Sequence, residues 1–502
     1  MVNVRERPCF ALQPSPDRAR CGVPLHDAKD DALSAGVPRD VNRTNGSLPE
    51  SSFDEVRTNP DTGIDSEGGG AHGRPPLLCS LFALQASAHL RNLMVVDHPI
   101  LITSVWKGVM ATRVGTGAAS HSVAKTAVGK AVQKAISRLR GAKPTYGFLF
   151  VSPNLDFAGA LAAAREASGA EIIGCTTAGE ITEDGLTHGG VAIMLVASDV
   201  TMRVEFARGL KADAAQVAQR LASGLPDAKR AATATDHRHL TTVLLTDGLG
   251  GAGERLVSDL YAARVQAGTQ IVGGAAGDEG KFAATLVGAA GELGSDAAAA
   301  LHVFGASPWG IGVDHGLRPT TKQMRVTKAE GNVVFEIDGK PAFSAYEKHA
   351  AERGIQLSAD KAGAYMIANE LGVHFFERIG RARAPLSVGR DGSLTCAGDI
   401  PRGSMVSILD GDADSMVRAA QSASEEARAA LRGRATAGVL LFDCVCRGMI
   451  LKTSFHREVD AVRSTFGDVP IAGFLTYGEI ARSQERMEGW HNTTAVVVAI
   501  PE

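Results

Sequence analysis

The chain has 502 residues, 44% of them hydrophobic, 21% charged and only 5% aromatic, which suits about three domains whose cores are built from Ala, Val, Leu and Ile. Its 52 Lys and Arg against 55 Asp and Glu give a net charge of -3, so there is no basic footprint and nucleic acid is excluded as the expected partner. Seven scattered cysteines make no disulfide framework and no run nears the roughly 18 apolar residues that span a bilayer, so a cytoplasmic protein without membrane insertion is expected.

Residues 1–109 read as a disordered tail or a spurious extension. Nine of the 20 prolines fall in the first 80 residues among Asp, Arg, Ser, Asn and Gly, and Met94 and Met110 are alternative starts. The opening MVNVRERPCFALQPSP has no apolar h-region, so no secretory signal is expected. Order begins at Ser120, where Val123, Ala124, Ala127, Val128, Ala131, Val132, Ala135, Ile136 and Leu139 recur at helical spacing.

A threefold repeat follows. GFLFVS (147–152) leads through an Ala-rich helix to EIIGCTTAGEI (171–181), then to the strand GGVAIMLVAS (189–198). TVLLTDG (242–248) leads to TQIVGGAAGDE (269–279) and AAAALHVFG (297–305). GVLLFDC (438–444) leads to VPIAGFLTYGEI (469–480) and NTTAVVVAI (492–500). First and second strands lie 24, 28 and 32 residues apart, room for a crossover helix and hence for parallel pairing. The expected fold is α/β: repeated strand-helix-strand units in two associated modules, 110–345 and 346–502. Between copies two and three, Gly331-Asn332 and Asp338-Gly339 predict turns, and Pro341 opens a helix.

With GCTTAGEI (174–181), IVGGAAGDE (271–279), VTKAEGNVVFEIDGKPA (326–342), DIPRGS (399–404), GFLTYGEI (473–480) and His491-Asn492-Thr493-Thr494, the chain resembles the FIST family from about residue 110 onward. The resemblance implies FIST N-terminal and C-terminal modules of a sensory or signal-transduction protein that binds a small ligand, with amino acids suggested. Output would pass to a separately encoded partner such as a histidine kinase or a cyclic-di-nucleotide enzyme. It also implies an alternative, because some stand-alone members bind haem and sense nitric oxide.

Gly179-Glu180, Gly277-Asp278 and Gly478-Glu479 are read as one slot at a strand's C-terminal end, where open α/β sheets bind ligands and three acids would hold an ammonium group. The bland alternative is that each acid caps its own turn. Asn492 and Thr493 offer neutral donors and acceptors, and Arg447 a fork for a carboxylate or phosphate, unless it pairs with Glu479 or Asp443. GLGGAG (248–253) matches a dinucleotide spacing, but the other copies lack the glycines. Cys175 reads as a buried structural thiol. His315, in GVDHG, is the tentative axial ligand for haem. No G-x-S-x-G elbow or Walker sequence is present, so a binding module is preferred to an enzyme acting on a small polar substrate.

Overall fold

Each repeat in the computed structural model is longer than its periodicity indicated, because an edge strand and a helix precede it. Copy one runs strand Arg113–Ala119, helix Ala124–Arg138, strand Tyr146–Val151, helix Phe157–Ser168, strand Glu171–Thr176, hairpin Glu180–Thr182 and Gly185–Thr187, and strand Val191–Ala197. Copy two repeats this order from Thr201–Arg208 to Ala297–Gly305, and copy three from Gly310–Asp314 to Ala495–Pro501. The class is α/β, as expected. The structure describes residues 111–223, 225, 238–263, 268–376, 378–483 and 489–502; the tail expected over 1–109 lies outside them.

The crossover spacing holds, for the two strands flanking the middle helix pair parallel in every copy. The final strand then returns antiparallel on the other side of the first. What the repeat did not reveal is where the glycine turns lead. Glu180–Thr182 of copy one pairs with Ile471–Thr476 of copy three, Glu479–Ser483 of copy three with Thr269–Ala275 of copy two, and Val287–Ala289 of copy two with Glu171–Thr176 of copy one. Each of the three six-stranded sheets is therefore completed by a neighbour's hairpin, and the exchange closes into a ring.

Sheets buried on both faces need apolar side chains in both directions, which explains the continuous runs. Phe148 and Phe150, Val243 and Leu245, and Leu440 and Phe442 point inward to one shared core. Leu149, Leu244 and Leu441 point outward beneath each copy's own helices. Opposite those three leucines, in register, stand Gly174, Gly273 and Gly473. A Cβ at any of them would come within 3.0 Å of the leucine carbonyl oxygen, so glycine here serves close strand approach.

Copy three carries an insert, Arg318–Asp410, between its edge strand and the helix Ala413–Ala430. The insert forms a nine-stranded sheet around Val326, Val334, Phe343, Tyr346, Met366 and Leu371. Both predicted turns are present, between Met324–Glu330 and Val333–Ile337 and at Asp338-Gly339, and the helix after Pro341 spans Phe343–Ala351. A module boundary at 345/346 thus falls inside a helix of the insert, after copy three has already begun at Gly310.

Candidate functional site

The three glycine turns meet where the parallel strands end. Ala178 N–H donates to the Leu475 carbonyl at 3.0 Å, Gly277 N–H to that of Thr176 at 3.0 Å, and Ala275 N–H to that of Gly478 at 2.8 Å. Gly179, Gly277 and Gly478 are therefore brought together, but by one another. A Cβ at Gly277 would strike the Ala178 backbone, and one at Gly478 the Trp490 ring.

Two of the three acids are equivalent. Glu180 accepts the Thr177 hydroxyl at 2.6 Å and Gly190 N–H at 3.2 Å; Glu479 accepts the Thr476 hydroxyl and Thr494 N–H at 3.2 Å. Burial pushes Glu180 up to about 7 and Glu479 well above the carboxylate range, against the pull of these donors. Asp278 does not share their slot. Glu180 and Glu479 lie six residues beyond the register glycines Gly174 and Gly473, and six beyond Gly273 is Glu279. Glu279 binds the Ser152 hydroxyl at 2.6 Å and the Asn154 amide at 2.8 Å, while Asp247 takes over the strand-entry contact by accepting Asp296 N–H at 2.9 Å. Asp278 caps its own loop, accepting Phe282, Ala283 and Ala284 N–H and the Tyr477 hydroxyl. Burial raises its carboxyl, but those four donors together hold it below the usual range.

Arg447 is fully buried on the helix side of copy three, where its Nε lies 2.9 Å from Asp443, its Nη2 pairs with Glu458, and the same nitrogen donates to the Met416 carbonyl at 2.9 Å. Its partners are Asp443 and Glu458, and neither is Glu479. Burial pushes Asp443 up to about 6, with Arg447 pulling it down.

Glu370, on the insert, gave no sequence signal: it is a single acid ahead of the strand Leu371–Phe375. It is fully buried and accepts the hydroxyl of Thr493, and burial pushes it up to about 8, opposed by that bond and by Arg383. Thr493 holds φ at 52°, a left-handed conformation uncommon for a β-branched residue. The corresponding residue of copy one is Gly189, with φ at 76°, each standing just before the N–H that binds the equivalent glutamate. Glu370 Oε2 and, on the residue before Thr493, Asn492 Oδ1 are buried without a hydrogen-bond partner, as on the helix side are Glu458 Oε2 and also both Asp443 oxygens and Arg447 Nε, which meet only as an ion pair. Of the sequence candidates, Glu479, Asn492 and Thr493 thus adjoin one junction between insert and copy three.

The other candidates have structural partners. In GLGGAG a Cβ at Gly253 would enter the Trp490 ring. The first turn of its helix presents Glu254, whose carboxylate receives Arg381 at 2.8 Å, Arg383 at 3.0 Å and Asp399 N–H at 3.0 Å, so glycine packing and an internal acid occupy the place of a phosphate. Cys175 is buried, and burial raises its thiol. His315 Nδ1 accepts Leu317 N–H at 2.9 Å, and burial lowers the ring's proton affinity. At Gly312 and Gly316 its segment lies against the helix Ala413–Ala430 at backbone distance, with Arg447 donating to the His315 carbonyl. These surroundings do not fit a haem. Among the described residues there is no cluster of three His, Cys, Asp or Glu suited to a metal, and no helix long and apolar enough to cross a membrane.

Residues 145–340 match the FIST N domain and residues 342–482 the FIST C domain. The chain belongs to the FIST family. FIST domains are sensory modules that bind small ligands. An uncharacterised protein of Methanocaldococcus jannaschii is 40% identical over 82 residues, 16% of either chain, so this FIST chain spans only a small part of that relative. Among solved structures, a cyanuric acid hydrolase is similar at 8% identity and a TM-score of 0.26, covering 78% of this chain and 100% of its own. Phosphoribosylformylglycinamidine synthase II of Thermotoga maritima gives 10% and 0.18, covering 77% and 72%. Neither likeness is close enough to inform the site.

Proposed function

We propose that this FIST protein is a cytoplasmic sensor that binds a small polar ligand at the junction of the insert with copy three and signals through a separately encoded partner, a histidine kinase or a cyclic-di-nucleotide enzyme. The observation that carries this reading is the pair of unpartnered buried polar atoms, Glu370 Oε2 and Asn492 Oδ1, on residues that adjoin the left-handed Thr493. Buried polar atoms are normally satisfied, and strained backbone concentrates at ligand clamps. The junction also adjoins the C-terminal ends of parallel strands, where open α/β sheets take their ligands.

A thermal-shift screen of amino acids and other small polar metabolites tests it. A true ligand stabilises saturably, by about 2.7 kcal/mol at 100 times its dissociation constant. Stabilisation should fall in Asn492→Ala and persist in Asp278→Asn. No stabilisation by any compound, or loss in Asp278→Asn alone, contradicts the assignment.

A further inference from the structure

The first helix of copy one differs in charge from its counterparts. Residues 111–155 contain Arg113, Lys125, Lys130, Lys134, Arg138, Arg140 and Lys143 and no Asp or Glu. Four of these cations lie on the helix Ala124–Arg138, and all four are exposed. The equivalent helix of copy two, Ala214–Ser223, carries only Arg220, and that of copy three, Ala413–Ala430, sets Asp414, Glu425 and Glu426 against Arg418 and Arg428. The basic row is a cost to the helix that bears it. Lys130, Lys134 and Arg138 stand four residues apart, where like charges repel. Lys125 sits in the first turn against the positive end of the helix dipole, and no acid or side-chain cap relieves it. Gly129, in the middle of the helix, is exposed, and a Cβ there would meet nothing within 4 Å, so no internal contact requires a glycine.

The cations are little balanced from within. Lys125 reaches Glu166 at 3.7 Å with both side chains exposed, Lys134 Nζ donates to the Ala118 carbonyl at 3.0 Å, and Lys130 has no ion pair among the described residues. Arg138 pairs with Glu183, and the cleft beyond it, lined also by Asp468 and Glu502, is mixed in charge and bounds the face. Helical spacing puts Lys125, Gly129, Gln133 and the part-exposed Ile136 on one line beside the basic row. A face with cations at four-residue spacing, a bare backbone and an aliphatic contact complements a second helix bearing acids at the same spacing. It lacks an aromatic ring to stack on bases or to enter a headgroup layer, and the whole chain carries a net charge of -3, which disfavours a nucleic acid or an anionic bilayer.

Resting on the separate-partner part of the reading above, we propose that the exposed face of the helix Ala124–Arg138 is the docking surface for an acidic helix of the partner protein. Its carboxylates meet Lys125, Lys130 and Lys134, and its backbone packs close over Gly129.

Fluorescence anisotropy tests this with the full chain and a labelled Ala-rich helical peptide of about 20 residues bearing glutamate at every fourth position. The same peptide with glutamine for glutamate, a duplex DNA and phosphatidylserine vesicles are the competing probes. The expected result is saturable binding of the glutamate peptide above all others, weakening at least about threefold between low salt and about 150 mM. Lys125→Gln, Lys130→Gln and Lys134→Gln together should weaken it at least about tenfold. Lys361→Gln, Arg390→Gln and Arg402→Gln, the same charge change at exposed positions of the insert, should alter it less than about twofold. Gly129→Ala should raise the melting temperature yet weaken the peptide at least about threefold, a split that a purely structural glycine would not give. No saturable binding of the glutamate peptide, equal losses in the two triple variants, unchanged binding in Gly129→Ala, or tighter binding of DNA or vesicles overturns the proposal. Each of these leaves the small-ligand reading to its own thermal-shift screen.

Discussion

Copies one and three hold their glutamates alike, by a threonine three residues earlier and by the N–H that opens the last strand, yet their surroundings diverge. In copy one every neighbour is consistent with a closed, satisfied turn: Gly189 takes the left-handed step and Val151 ends the first strand. In copy three the same positions are Thr493 and Asp443, and each brings a buried ionisable partner, Glu370 and Arg447. Shared features of a repeat report what the fold requires; the departures mark where one copy has been put to another use.

The largest expected effect follows from the buried charges. Arg447→Met leaves Asp443 and Glu458 without a cation and should cost about 3 to 5 kcal/mol in urea unfolding. Arg138→Ala, which breaks the Glu183 pair with a half-exposed arginine in copy one, should cost at most about 1 kcal/mol. Equal losses would erase the contrast. Replacing Asp443, Arg447 and Glu458 together by Val, Met and Leu should restore most of the stability, since a buried ion cluster is seldom better than packed hydrocarbon. Next in size, Gly189→Thr imposes on copy one the strain of Thr493 without a Glu370 to meet it, and should lower stability by about 1 to 3 kcal/mol in thermal unfolding. A neutral outcome would remove the argument from the left-handed threonine.

The pH dependence has a definite sign. Glu370, raised to about 8, and Glu180, raised to about 7, stay protonated in the folded state where the unfolded chain has already ionised. Stability is therefore fully present below the unfolded carboxyl range and declines as pH rises from about 4.5 towards 8. Glu370→Gln should flatten that decline over its whole span up to about 8 and Glu180→Gln only up to about 7; an unchanged slope in both variants would place the titration elsewhere. Least of all, Asp156→Ala removes the side chain that caps the helix Phe157–Ser168 through Gly159 N–H, for about 1 kcal/mol. Circular dichroism melting should show this loss with the ligand junction untouched.

Much of the fold was legible because it is local and repeated: strand-length apolar runs recur in GFLFVS, TVLLTDG and GVLLFDC, and the crossover spacing leads from each to the recurring glycine of EIIGCTTAGEI, TQIVGGAAGDE and VPIAGFLTYGEI. The exchange of hairpins was hidden, since Glu180 and Phe474 pair from far apart in the chain and nothing in either segment names its partner. Asp278 was misplaced because GAAGDE offers two adjacent acids and only the register with Leu244 decides between them. Arg447 was legible as a charge but not as a buried one. Glu370 was invisible, as its importance arises when an insert folds back upon a strand entrance far along the chain.

The claim that copy three alone has become a ligand junction is tested most directly by hydrogen-exchange mass spectrometry with and without the metabolite that stabilises the wild type most in the thermal-shift screen. The predicted result is slowed exchange in Leu371–Phe375 and in 491–494, with the equivalent copy-one segment 187–190 unchanged. Protection spread equally over both copies, or confined to copy one, would contradict it.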